Sequence, residues 1–206
     1  MPDYFALLDE PRQPWLDVAA LKEKFIARSA EVHPDRVHTA GEADKLKATE
    51  RYAELNAAHS CLREPRDRLL HLLHLETGAK PPDIQRIPPG TMDLFVEVGQ
   101  LCQGIDQFIE ERNKVTSPML RVQMFARGLE WTDKVQALQQ QISEKRQAVE
   151  AELQQLNAVW DVAPAVGDPQ RAGALPLERL EQLFRLMSFI ARWTQQLQER
   201  AVQLSL

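Results

Sequence analysis

Apolar residues recur every three or four positions through most of this chain, and that spacing limits what it can fold into. The last segment shows it most clearly, with an apolar seam formed by Leu180, Phe184, Met187, Ile190 and Leu197. An α-helix turns once in about 3.6 residues, so this spacing places the seam on one helical face, whereas a half-buried strand needs strict alternation. Leu, Gln, Glu, Ala and Arg dominate the composition, and all are good helix formers. We therefore predict an all-α protein.

The proline pattern divides the chain. Two Pro-Pro pairs and a glycine make residues 79–91 the clearest linker. Amphipathic patterns before it predict a helical hairpin in a domain of residues 1–78, in which Pro34 ends the first main helix and Gly41 precedes the second. The three long helical patterns after it predict an antiparallel three-helix bundle over residues 92–206, with coiled-coil-like seams.

Charge and composition exclude several classes of function. The formal net charge is −5, and an acidic chain is a poor candidate for binding nucleic acid, which favours a basic surface. No apolar run reaches the length of a membrane span, and the N-terminus carries no basic-then-apolar signal. Cys61 and Cys102 lie far apart without a CxxC spacing, which predicts free thiols in a reducing compartment. We expect a soluble, cytoplasmic protein without a membrane or nucleic-acid partner.

The sequence offers no catalytic centre. It contains neither a glycine-rich phosphate loop nor a GxSxG nucleophile motif. His71 and His74 are three residues apart and would share a helical face, but their neighbours do not complete a ligand set, so surface or boundary histidines are the better interpretation. We therefore expect no enzymatic activity, no metal and no cofactor.

One short motif points to a binding function. His33-Pro34-Asp35 lies at the turn between two amphipathic helices. Pro34 fixes one backbone angle, so the turn presents His33 and Asp35 from a stiffened loop, and a carboxylate held in this way suits an arginine of a partner. The alternative is a plain turn that ends a helix, since such a tripeptide also occurs by chance.

The residues around the tripeptide resemble the J-domain co-chaperone family. The resemblance covers roughly residues 3–75 and includes the opening Asp3-Tyr4-Phe5-Ala6-Leu7-Leu8, then Asn56-Ala57, Leu62, Pro65 and Arg68 after the tripeptide. It implies docking on the ATPase of a DnaK/HscA-type chaperone and stimulation of ATP hydrolysis. Asp35 would engage an arginine of that chaperone, while His33 and Pro34 would hold the loop. The basic residues Lys22, Lys24, Arg28 and Arg36 would meet an acidic surface.

The order of the segments is similar to that of the HscB group, J-domain co-chaperones of iron–sulfur cluster assembly. Leu94 to Ile105 corresponds to the family's helix after the linker, and Arg185-Leu186-Met187 to its Arg-Phe-Leu. The resemblance implies a client-binding face for an IscU-like cluster scaffold protein, also regarded as an oligomerisation domain. That face would comprise Phe95, Val96, Gln100, Gln103 and Leu186.

Several residues depart from the family pattern. Gln100 and Gln103 stand where the family has acidic residues, and Gly99 stands where it has leucine. Ala30 and Glu31 stand just before the tripeptide, where J-domains usually carry basic residues. Packing of the client face into the bundle core therefore remains an alternative, as do another client or a helical scaffold protein with a vestigial J-domain. We expect the contact with the chaperone to be weaker or more selective.

Overall fold

The computed structural model describes residues 2–33, 41–81 and 87–205, and in these ranges it contains helices and no strand. The predicted all-α fold is confirmed. The eight helices are α1 (Tyr4–Leu7), α2 (Val18–Glu31), α3 (Glu42–Arg63), α4 (Pro65–Thr77), α5 (Met92–Lys114), α6 (Pro118–Asp161), α7 (Arg171–Ala174) and α8 (Leu177–Ser205). None of these helices is both long enough and apolar enough to cross a membrane.

The chain forms two compact units. The first comprises Met1–Pro82 and Glu150–Phe184, and the second comprises Asp83–Val149 and Arg185–Leu206. The first boundary falls inside the predicted linker. Residues 150–184, which the sequence pattern placed with the C-terminal bundle, are grouped with the N-terminal residues. The division into domains of residues 1–78 and 92–206 therefore stays a prediction.

In the first unit, α3 packs against α1, α2 and α4. Helices α2 and α3 are antiparallel, because Phe25 stacks on His59 near one end of the hairpin while His33 contacts Tyr52 near the other. The Asp17 carboxylate accepts hydrogen bonds from the amides of Ala19 and Ala20 and so caps the start of α2. The apolar core comprises Phe5, Leu8, Leu16, Leu21, Leu55, Ala58, Leu62, Leu69, Leu72 and Leu73.

The end of α6 and the short α7 are held to this unit by polar contacts. Asn157 donates to the carbonyl of Trp15 and accepts from its amide, at 2.9 and 3.0 Å. Arg171 forms two hydrogen bonds of 2.8 Å with the carboxylate of Glu76. These bonds join residues more than ninety positions apart in sequence, and they explain the grouping of residues 150–184 with the first unit.

In the second unit, α5, α6 and α8 form a three-helix bundle. Arg127 of α6 pairs with Glu111 near the end of α5. Trp131, one turn later on α6, lies close to Gly104, which comes earlier on α5. Helices α5 and α6 are therefore antiparallel. Asp106 pairs with Arg200, and Arg112 donates to the carbonyls of Gln203 and Leu204, so α5 and α8 run in the same direction. This up-down-up arrangement agrees with the predicted bundle.

Candidate functional site

The candidate site of the first unit begins where α2 ends. His33 is half-buried, and its ring lies edge-on to the Tyr52 ring of α3, with 5.3 Å between the centroids. The first residue of the tripeptide is thereby tied to the facing helix. Pro34, Asp35 and Arg36 lie outside the described residues, so their predicted roles remain predictions.

The predicted basic residues of α2 do not form one surface. Lys24 and Arg28 are four residues apart and share a face, whereas Lys22 is rotated from Lys24 by about 200° around the helix axis. Lys22 is exposed and makes no ion pair with a described side chain. Lys22 is therefore exposed on a different side of α2 from Lys24 and Arg28.

The turn after α1 already binds two of these cations. Lys24 pairs with the Glu10 carboxylate at 3.1 Å and donates to the Asp9 carbonyl at 2.8 Å, while Arg28 lies 3.6 Å from the Asp9 carboxylate. Asp9 has a positive φ of 57°, a conformation that aspartate and asparagine tolerate better than most residues. The acidic turn, Asp9-Glu10, thus partly neutralises the basic face. Sequence reasoning missed it, because only the fold brings residues 9 and 10 beside residues 24 and 28.

His59 of α3 packs against α2. Its ring stacks on Phe25 at a centroid distance of 4.3 Å, and its Nε2 is buried without a hydrogen-bond partner among the described residues. Burial lowers the pKa of His59, and the charges of Arg63 and Lys22 lower it further. The neutral ring is therefore the form that holds the hairpin together.

His71 has a second structural role. It is buried rather than at the surface or boundary as the sequence suggested, and its Nε2 accepts the Tyr4 amide proton at 3.1 Å. Burial lowers its pKa, an effect that Asp3 opposes and that His74 and Arg12 reinforce. Protonation of Nε2 would remove the acceptor for the Tyr4 amide.

We predict that acid destabilises the first unit through these two histidines. Both have a folded pKa below the unfolded value of about 6.5, so the unfolded chain binds protons first and stability falls as the pH drops through and below that value. Thermal unfolding at about pH 7.5 and about pH 5.5 measures the effect. His59→Phe, which keeps a ring on Phe25 and cannot titrate, should reduce the pH dependence. An unchanged pH dependence in this variant would assign the effect to other groups.

The candidate client face lies in the second unit. Phe95 and Val96 are exposed by 42% and 45%, and with Gln100 and Gln103 they line a surface cavity of about 510 Å³. An added Cβ at Gly99 would meet nothing within 4 Å, so this glycine stands in open space beside the cavity. Phe95 and Val96 are therefore surface residues and not bundle core.

Helix α8 supplies the other wall of this cavity. Its lining residues are Phe189, Arg192, Trp193 and Gln196, whereas Leu186 is half-buried on α8 and does not line it. The structure thus brings together four of the five predicted client residues. Three of the missed residues, Phe189, Trp193 and Gln196, follow Leu186 with gaps of three, four and three, so helical spacing from Leu186 could have pointed to them. Arg192 lies over the Phe189 ring, 5.5 Å from its centroid, and adds a positive charge beside two neutral glutamines.

Both cysteines are free thiols that are at least partly buried. Cys102 is buried and Cys61 half-buried, and neither forms a disulfide, as the sequence predicted. Burial, reinforced by Asp67, raises the pKa of Cys61 to about 11 and keeps it a thiol at neutral pH. No group of three residues capable of holding a metal occurs in the described part of the chain.

Comparisons with known proteins agree with the resemblance. No family model matches the chain. A co-chaperone protein HscB homolog of Paraburkholderia phytofirmans is 42% identical over 72 residues, which cover 35% of this chain. The match spans about two fifths of the relative's length, 41%. The relatives of this kind are co-chaperones by name and not enzymes.

Two solved structures share the fold over nearly the whole chain. The chaperone HscB from Vibrio cholerae has a TM-score of 0.58 and 24% identity, and the alignment covers 98% of this chain and 99% of that one. The human co-chaperone protein HscB has a TM-score of 0.59 and 16% identity, with 98% and 81% covered. The predicted resemblance is confirmed: this chain has the fold of the HscB structures and, over 72 residues, is similar in sequence to proteins named as co-chaperone HscB homologs.

Proposed function

We propose that this chain is a J-domain co-chaperone that binds a DnaK/HscA-type chaperone, stimulates its ATPase and presents an iron–sulfur cluster scaffold protein to it. The observation that carries the proposal is the anchoring of His33 against Tyr52 at the end of an antiparallel helical hairpin. That contact ties the first residue of the tripeptide to α3 and supports a role for the end of α2 in binding the chaperone. Steady-state ATP hydrolysis by such a chaperone, with and without this chain, tests the proposal.

The contact with the chaperone would combine the loop with α2. Asp35 would pair with an arginine of the partner, a charge-assisted contact of the stronger kind. Of the predicted basic residues, Lys24, Arg28 and Arg36 would face an acidic surface and mainly accelerate encounter, as surface charges do, whereas Lys22 lies on another side of α2. The acidic turn competes for Lys24 and Arg28, which supports a weak or selective association.

The ion pairs of the acidic turn should lower the affinity of this chain for the chaperone. Asp9→Asn keeps a residue that tolerates the positive φ but releases Arg28, and exposed ion pairs contribute up to about 1 kcal/mol. We expect affinity for the ATP-bound chaperone to rise about two- to five-fold at low salt, and the gain to shrink as salt is added. Titration calorimetry at two salt concentrations measures it.

Glu42→Gln is the matched control for that experiment. It removes a carboxylate from the same unit, one that pairs with Lys45 at 2.9 Å on α3 instead of with α2. It should leave the affinity unchanged. Equal affinities of Asp9→Asn and wild type would show that the acidic turn does not compete with the partner.

The client would bind through the cavity between α5 and α8. Exposed Phe95 and Val96 flank the buried Phe189 and Trp193, an apolar centre with a polar rim that is typical of protein interfaces. Gln100, Gln103 and Arg192 make that rim neutral to basic. This electrostatic difference also favours a second candidate, in which the face recruits a client other than the cluster scaffold.

We predict that Phe95→Ala with Val96→Ala weakens binding of the scaffold protein about ten-fold or more, since central apolar side chains dominate interface energies. Both residues are exposed, so the bundle should remain folded. Val202→Ala, at an exposed apolar position of α8 rather than α5, is the control. Pull-down and calorimetry measure the binding. No detectable binding by wild type, with no effect of the two substitutions, would exclude the scaffold as the client.

A further inference from the structure

We propose that the tip of the helical bundle is a second docking site, which binds an acidic amphipathic helix of a partner protein. The bundle tip is defined as the exposed apolar residues Met119, Val122, Phe125 and Leu129 of α6 together with Arg121, and the groove that Arg121, Phe125 and Leu129 line. It shares no residue with the client face. The proposal goes beyond the proposed function.

The first observation is apolar exposure. Met119, Val122 and Phe125 are exposed by 75%, 71% and 69%, and Leu129 by 52%. Their spacing of three, three and four residues places them in one stripe along the first turns of α6. Scattered apolar residues are ordinary on a protein surface, but a continuous stripe of this kind marks an interaction site.

The second observation is the groove beside the stripe. A cavity of about 740 Å³ lies between the end of α5, the start of α6 and the end of α8. Its apolar wall includes Phe108, Met124, Phe125, Leu129 and Leu204. The cavity can admit the side chains of an apposed helix, a recognition mode in which residues one turn apart anchor in a groove. Methionines suit such a surface because their side chains adapt to different shapes.

The third observation is charge. Residues 112–129 contain Arg112, Lys114, Arg121 and Arg127 and no acidic residue, a formal charge of +4 in a chain of −5. Glu111 pairs with Arg127 at 3.0 Å and offsets one of these charges. Arg112 donates hydrogen bonds to two carbonyls of α8, and these neutral acceptors do not cancel its positive charge. Arg121 lines the groove and makes no ion pair with a described side chain.

These observations together select the occupant. A basic rim around an apolar groove complements a helix that carries carboxylates on one face and apolar side chains on the other. An anionic membrane shares the charge requirement, but a flat bilayer has no side chain to fill a groove that lies between three helices. We therefore favour the protein partner and treat the membrane as an outcome of the test.

The test uses the full chain and a designed helical peptide of about 18 residues, five turns long, with leucines on one face and glutamates on the other. The same peptide with lysines in place of the glutamates is the matched probe. Fluorescence anisotropy should show the acidic peptide binding about ten-fold or more tightly than the basic one. Phe125→Ala and Arg121→Glu should each weaken binding about ten-fold, whereas Leu46→Ala, at an exposed position of α3, should have no effect.

Three results would overturn the proposal. The first is equal binding of both peptides, or of neither. The second is a preference for phosphatidylserine vesicles over the acidic peptide, which would assign the tip to a membrane surface. The third is a dimer of the unliganded chain in sedimentation that Phe125→Ala dissociates, which would mean that a second copy fills the groove. Since both substitutions lie at exposed positions, circular dichroism should find both variants folded.

Discussion

Arg68→Ala is expected to lower the free energy of unfolding of the first unit by about 3 kcal/mol or more. Arg68 is 1% exposed and donates to the carbonyls of Pro14 and Leu62 at 2.9 and 2.7 Å. It therefore fastens the segment before α2 to the end of α3. Alanine would leave both carbonyls buried without a donor and a cavity where the side chain lay.

Burial lowers the pKa of Arg68 to about 10, which still leaves the guanidinium charged at neutral pH. Desolvation of that charge has a cost, so the contribution of Arg68 comes from its two hydrogen bonds and its packing. Urea unfolding followed by circular dichroism measures the effect. Arg66→Ala, an exposed neighbour paired with Asp67, is the control and should change stability by less than about 1 kcal/mol. Equal midpoints for the two variants would contradict this role of Arg68.

Local periodicity explains how much of the fold could be predicted. The helix boundaries follow from residues that act locally: Asp17 caps α2, Gly78 ends α4 in a left-handed conformation, and Pro118 begins α6. In α5 the apolar spacing of Leu94, Val98, Leu101 and Ile105 favours Leu101 as a core residue, whereas the structure buries Cys102 and leaves Leu101 half-buried. Neighbouring apolar residues compete for one face, and the packing partner decides between them.

Contacts between distant residues could not be predicted in this way. The bonds of Asn157 to Trp15 and of Arg171 to Glu76 group residues 150–184 with the first unit, although the linker suggested another division. The acidic turn reaches Lys24 and Arg28 through the tertiary fold alone. At the candidate client face, the residues that line the α5 side of the cavity could be named from the sequence, whereas those on the α8 side depend on how the two helices align.

His33→Gln is expected to reduce stimulation of the chaperone ATPase to about one tenth of the wild-type effect or less, because a displaced Asp35 would lose its charge-assisted contact with the partner. Glutamine cannot reproduce the edge contact between His33 and Tyr52, so the first residue of the tripeptide would lose its contact with α3. The substitution lies in a half-buried loop position and should leave the unfolding midpoint nearly unchanged. His74→Gln, on α4 and outside both the tripeptide and the basic residues, is the matched control.

Steady-state ATP hydrolysis by a DnaK/HscA-type chaperone is the most direct test of the co-chaperone function. We expect wild type and His74→Gln to stimulate hydrolysis to the same extent, and His33→Gln and Asp35→Asn to stimulate it far less. All four proteins should have the same helical content. Stimulation by wild type no greater than that by His33→Gln would contradict the function proposed for this chain.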